Sequence, residues 1–238
     1  MNRHAFLIGS PQIEGKQGFL RGVTPDINNM KRHLLSDKGG AWIENTEITV
    51  FSNPTREELF SKITGTYDYV FIQYSGHGFQ RKNNDVRFFL SPYEDIGLAE
   101  LTSNIIVSKR FFFIDCCRGI EEEDSRAVES GIICFSERIN PSREKFNRAI
   151  NCCEEGTSII YSCSKNQSAS EDDDGLGGIF TLSYLRTAND LNPNKDKYSS
   201  IKTVFDLAVD KMKKDYPLEH QTPEIKPERR NRYFPFVV

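Results

Sequence analysis

Val70-Phe71-Ile72-Gln73-Tyr74-Ser75-Gly76-His77-Gly78 and Phe111-Phe112-Phe113-Ile114-Asp115-Cys116-Cys117-Arg118-Gly119 are the two stretches on which the reading of this chain turns. In each, a short run of aromatic and β-branched residues stops abruptly at polar residues and glycine. Runs of this kind read as strands of a parallel sheet, buried on both faces. In an open α/β sheet, ligands sit beyond the carboxyl ends of the strands. Both runs therefore deliver their polar residues to the same rim, and on neighbouring strands His77 and Cys117 face each other.

An imidazole beside a thiol promotes the thiolate, which is the nucleophilic form. Gly76 and Gly78 let the backbone turn sharply and approach a substrate closely. They also free N–H groups to point at an oxygen that gains charge during attack. A lone histidine or cysteine at a strand end is usually a packing residue; the pair, each behind an apolar strand, describes an acyl-transfer site. Cys116 precedes Cys117, and because side chains alternate faces along an extended chain, the two thiols point to opposite faces.

Outward from this pair, apolar runs at residues 4–8, 47–51, 158–162 and 233–237 join 69–74 and 109–115 to give six strands. Between them lie segments with helix signals. Thr24-Pro25-Asp26 offers an N-cap, a first-turn proline and an acid, followed by Ile27, Met30 and Leu34 on one face. Thr55-x-x-Glu58 is a capping box ahead of Leu59 and Ile63. Residues 178–190 and 201–215 complete the set, the latter with a stripe of Val204, Leu207, Ala208 and Met212. Strands alternating with helices predict an α/β fold with a largely parallel sheet covered by helices. Residues 119–155 hold nine acidic residues and no strong strand, and read as one long connection.

With 238 residues, 37% of them hydrophobic, the chain suits one domain with a real core. A net charge of -3 argues against general affinity for nucleic acid or anionic membrane, and the basic run 226–232 reads as a solvated face. No apolar run approaches the roughly 18 residues of a membrane span, and the amino terminus lacks a signal peptide. The six cysteines show no CxxC spacing, so the expectation is reduced thiols, no zinc and a cytoplasmic location. A nucleotide-binding module is disfavoured: Gly9-Ser10-Pro11 follows the first strand, with no GxGxxG or GxxxxGK[ST] loop.

The blocks Tyr74-Ser75-Gly76-His77-Gly78 and Asp115-Cys116-Cys117-Arg118-Gly119 resemble the signature blocks of the caspase and metacaspase clan of cysteine peptidases. Weaker similarity covers residues 20–26, the block Ser162-Cys163-Ser164-Lys165-Asn166-Gln167-Ser168-Ala169, Gln221-Thr222-Pro223 and Phe234-Pro235-Phe236, the last two as in stand-alone prokaryotic members. The resemblance implies a three-layer α/β/α sandwich on a mostly parallel six-stranded sheet. It forms one peptidase domain over 1–238, with a large-subunit-like part (1–118), an acidic connection (119–155) and a small-subunit-like part (156–238). It further implies that Cys117 is the nucleophile, that His77 is the base and then the acid, and that the N–H groups of Gly78 and Cys117 form the oxyanion hole. Asp115 stands where caspases carry the glutamine of their acidic-substrate pocket, and Asp26 matches a second metacaspase pocket carboxylate, with Val23, Ser75 and Cys163 as further substrate-binding positions.

Carboxylates in a pocket attract a cation and repel an acid, so the expected partner is a polypeptide cut after Arg or Lys. Arg21 keeps an acidic preference open. No cofactor is expected; calcium has candidate ligands in Glu94, Asp95, Asp124 and Glu171 to Asp174, but Ile96-Gly97-Leu98-Ala99-Glu100-Leu101 departs from the family's paired aspartates. Self-cleavage in the connection at Arg126, Arg138, Arg143, Lys145 or Arg148, a separate activator or sensor protein, and a role in cell death or antiviral defence are what kinship with regulated peptidases implies. A catalytically silent binding relative is the alternative; the presence of His77, Cys117, Gly78 and both acids argues against it.

Overall fold

The structure, a computed structural model, describes residues 1–12, 18–91, 94–119, 140–195, 197–227 and 229–238. In chain order the elements are β1 (Arg3–Ser10), α1 (Val23–Leu35), β2 (Ile48–Ser52), α2 (Arg56–Ile63), β3 (Tyr69–Gly76), β4 (Gly78–Gln80), β5 (Val86–Ser91), β6 (Glu94–Gly97), α3 (Leu98–Asn104), β7 (Lys109–Asp115), α4 (Pro141–Asn151), β8 (Gly156–Tyr161), α5 (Ile179–Asp190), β9 (Ser199–Ser200), α6 (Ile201–Asp215), β10 (Glu224–Lys226) and β11 (Pro235–Val237). The central sheet runs β10-β8-β7-β3-β1-β2, parallel throughout except for β10 against β8.

Because strand side chains alternate, each central strand feeds two cores. Phe71, Phe111 and Phe113 pack with α1, α4, α5 and α6, whereas Ile72, Tyr74 and Phe112 pack with α2, α3 and the small sheet β4-β5-β6. The consecutive phenylalanines 111–113 are at most 1% exposed, and burying each contributes roughly 2–3 kcal/mol. That anchors the strand leading to Cys117.

Four expectations change. Residues 233–237 do not supply the sixth strand: β11 pairs with β9 in a separate two-stranded sheet, and β10 takes the edge of the central one. The connection 119–155 is not a featureless loop, for it contains α4. Asn140 caps that helix by accepting from the Ser142 and Arg143 N–H groups, Pro141 opens it, and Phe146, Ala149 and Ile150 form its buried face. Thr24 is not the cap of α1; the helix begins at Val23, behind Gly22, with no side-chain cap. The sheet β4-β5-β6, which covers one face of the site, was not expected. Thr55 does cap α2, accepting from the Glu58 N–H at 2.8 Å.

Candidate active site

The register of β3 against β7 sets Ser75 opposite Asp115. Two residues further along each chain stand His77 and Cys117, so the topology brings both to the carboxyl rim of adjacent strands.

His77 is tightly placed. Its carbonyl accepts from the Phe89 N–H at 3.1 Å, and the Tyr74 phenol lies 2.6 Å from the carbonyl oxygens of both His77 and Phe89. Gly76, at φ +157°, makes the turn; a Cβ there meets the Ser10 carbonyl at 2.6 Å. The imidazole is 4% exposed, and its Nε2 lies 3.0 Å from the Gly18 carbonyl. A carbonyl can only accept, so in the neutral ring Nε2 carries the proton and Nδ1 keeps a lone pair. Gly18 was missed from sequence because a backbone carbonyl leaves no residue-type signal.

Gly78 is small for a reason other than substrate approach: a Cβ there meets Cys116 Sγ at 2.6 Å and the Arg87 carbonyl at 2.8 Å. The two vicinal thiols differ sharply. Cys116 is 2% exposed and packs in the α2–α3 core, where burial holds its thiol well above the usual range. Cys117 is half-buried and lines the cleft, with Sγ 3.9 Å from the Ala169 carbonyl. Arg118, just beyond, is buried. It donates to the Cys163 carbonyl at 3.0 Å and Glu224 at 2.8 Å, and lies over the Tyr161 ring. Backbone bonds from Arg118 to Gln167 and from Asn166 to Arg118 tie the cysteine segment to the loop after β8.

Beside Cys117 is a narrow pocket whose lining includes Val23, Asp26, Ser75, Asp115, Glu171 and Gly178. Asp26 accepts from Ser75 Oγ at 2.8 Å and from the Gly178 N–H at 2.9 Å, and Asp115 accepts from the Thr181 hydroxyl. Burial, then the charge of Asp115, pushes the Asp26 carboxyl well up; burial pushes Asp115 up as well. Glu171 accepts from the N–H groups of Gly22 at 2.8 Å and Arg21 at 3.2 Å. Three acidic side chains thus converge, and among the described residues no cation lines the pocket. From sequence Glu171 was named only among the calcium candidates, because nothing local tells it from Asp172, Asp173 and Asp174.

The expected positions Val23, Asp26, Ser75 and Asp115 are brought together; Cys163 is not among the lining residues. It is fully buried, its thiol donating toward the Cys116 and Gln167 carbonyls and pushed up to about 12 by burial. Arg21 contributes its N–H to Glu171, and its side chain is absent from the lining. The calcium candidates are dispersed: Asp95 pairs with Arg87, and Glu94 accepts from the Arg56 N–H at 2.8 Å. Asp172 accepts from Tyr216 at 2.7 Å, and Asp124 lies outside the described residues. Among the described residues no three His, Cys, Asp or Glu side chains are grouped to hold a metal, and no helix is long and apolar enough to cross a membrane.

A family model described as "Caspase domain" matches residues 2–235. A curated paracaspase from Dictyostelium discoideum is 23% identical over 226 residues, which is 90% of this chain and 50% of the relative, so the chain spans about half that protein's length. The crystal structure of caspase-1 from Spodoptera frugiperda superposes with a TM-score of 0.59 at 15% identity, covering 94% of this chain and 86% of that one; that likeness speaks for the fold. With the family model spanning almost every residue, and the central sheet carrying its histidine and cysteine at adjacent strand ends, this chain belongs to the caspase-domain family of cysteine peptidases.

Proposed function

We propose that the chain is an endopeptidase that cleaves after Arg or Lys, with Cys117 as nucleophile and His77 as general base and acid. The observation that carries the specificity is the convergence of Asp26, Asp115 and Glu171 in a pocket beside Cys117, with no lining cation among the described residues. Two buried carboxylates with raised pKa values are poorly compensated when empty; a guanidinium or ammonium supplies the missing charge.

The tautomer set by the Gly18 carbonyl supports the chemistry. Nδ1 of His77 takes the Cys117 thiol proton as sulfur attacks the scissile carbonyl carbon, and the N–H groups of Gly78 and Cys117 receive the oxyanion. Collapse breaks the C–N bond, and His77 returns its proton to the leaving amine. Water, deprotonated by His77, then attacks the thioester, releasing the carboxylic acid and restoring the thiol. Gly18 holds the imidazole in the tautomer this requires.

The pocket has a volume of about 30 Å³, the share of roughly one water, so an arginine side chain enters only after its walls part. That supports a latent enzyme opened by self-cleavage or by a partner. Arg126 and Arg138 lie outside the described residues. Arg143, Lys145 and Arg148 sit in α4, and Arg143 is ion-paired with Glu47, which makes these three poor cleavage points compared with extended chain. Hydrolysis of short peptides with Arg, Lys, Asp or Asn at the scissile position, by wild type and Cys117→Ala, tests the reading. A preference for Asp overturns the specificity, and activity surviving in Cys117→Ala overturns the nucleophile.

A further inference from the structure

Behind the acidic pocket, α1 and α5 enclose a second and larger cleft of about 380 Å³, within the size range of small-molecule sites. Among the described residues, none of the nine lining it is acidic, and three are cations: Arg32 and Lys38 from the α1 side, and Arg186 from α5. Among the described residues, their hydrogen bonds go to neutral groups. Arg32 donates to the Asn29 side-chain oxygen at 3.0 Å, Lys38 to the carbonyls of Asn189 and Leu191, and Arg186 to the Tyr216 hydroxyl at 3.3 Å. In a chain whose acids outnumber its bases, three cations around one cleft without a carboxylate partner among the described residues are a charge imbalance. Leu182 and Leu185 add an apolar surface.

We propose that this cleft binds a phosphate-bearing small molecule of nucleotide size. Two guanidiniums and an ammonium suit phosphate oxygens, the guanidiniums by paired donation. The leucines offer a surface to a planar or apolar group. The position also points to a consequence. Asp26 stands in the first turn of α1, one and two turns ahead of Asn29 and Arg32, and Gly178 and Thr181 at the start of α5 hold Asp26 and Asp115. Asn29 already reaches across to the Leu176 carbonyl at 3.4 Å. An anion drawing Arg32 and Arg186 together therefore acts on the two helices that set the spacing of the pocket carboxylates. This coupling rests on the peptidase reading; binding itself does not.

The test uses the full chain as Cys117→Ala, with ATP, inorganic pyrophosphate and adenosine as probes in thermal-unfolding titrations at low and high salt. A tenfold excess of ATP over its Kd raises Tm by about 4 °C. Pyrophosphate acts more weakly, and adenosine does not act. Arg32→Glu with Arg186→Glu, folded as judged by circular dichroism, weakens ATP binding at least about 100-fold. The proposal is overturned if ATP leaves Tm unmoved at millimolar concentration, or if the double variant binds it as well as its parent. In the active chain, ATP changes KM for an Arg peptide, and the double variant loses that response; binding without any change in KM sinks the coupling alone.

Discussion

Asp26→Asn separates the charge of the pocket from its shape. Asp26 uses one oxygen for the Gly178 N–H and the other for Ser75 Oγ. Asparagine keeps the acceptor for Gly178 and presents an NH2 to Ser75, whose hydroxyl can rotate to accept. The fold is therefore preserved while the group that can ionise against a substrate cation is removed. For a substrate guanidinium, loss of one partner in a desolvated charge pair costs about 3 kcal/mol, roughly 150-fold in kcat/KM. The assay is kcat/KM for matched peptides with Arg and citrulline at the scissile position, citrulline being the neutral shape control. Arg loses roughly that factor, and citrulline much less. A change below about threefold for Arg refutes the claim that this carboxylate selects a cation.

The same substitution has a stability arm of opposite sign. Burial and the neighbouring Asp115 raise the Asp26 pKa, so the folded protein retains a proton that the unfolded chain releases. Stability from this group is present below the unfolded value of about 3.9 and falls as pH climbs toward the raised folded value. Asparagine does not titrate. Ligand-free Asp26→Asn should therefore show a higher Tm than wild type at neutral pH and a smaller decline across that window. A lower Tm at neutral pH contradicts the idea that the empty pocket holds poorly compensated charge.

Cys117→Ala should reduce peptide hydrolysis to background, whereas Cys116→Ala should keep it within about threefold at a stability cost of about 1 kcal/mol, read from activity and denaturant midpoints; a dead Cys116→Ala reverses the assignment. Gly78→Ala forces a methyl against Cys116 Sγ and the Arg87 carbonyl, costing about 1–3 kcal/mol. Adding Cys116→Ala restores only part of that, since the carbonyl at 2.8 Å remains; full recovery in the double variant shows that the thiol alone sets the limit. Tyr74→Phe removes the hydroxyl between the His77 and Phe89 carbonyls. A fall of about tenfold in kcat with KM unchanged is expected, and equal loss in KM assigns Tyr74 to substrate binding instead.

What could be read from sequence, and what could not, divides along physical lines. The strands leading to His77 and Cys117 were legible because a parallel strand buried on both faces must be apolar along its buried length, as 111–114 is and 69–74 nearly is. The edge strand Glu224-Ile225-Lys226 has one buried residue between two half-exposed or exposed charged ones, too little periodicity to register. The apolar Pro235-Phe236-Val237 outcompeted it on composition while pairing elsewhere. In the connection, nine acids masked a real cap, Asn140-Pro141, and the spacing of Phe146, Ala149 and Ile150. At the site, Asp26, Ser75, Asp115 and Val23, all named from residue identity, come to line one pocket, because strand ends and a first helical turn fix where those side chains point. Residue identity did not foresee the place of Cys163, which lies two residues beyond the end of β8 and turns into the core. It failed also for Glu171 and Gly18, whose roles come from loops folded across the strand ends. The residues of the proposed nucleophile segment are thus written in local pattern, while those that meet the imidazole and complete the pocket's charge depend on contacts about 60 and 150 positions apart in the chain. For that reason a chain retaining the two signature blocks but altered at 18–22 or 169–171 should keep its fold and change its tautomer control or its specificity.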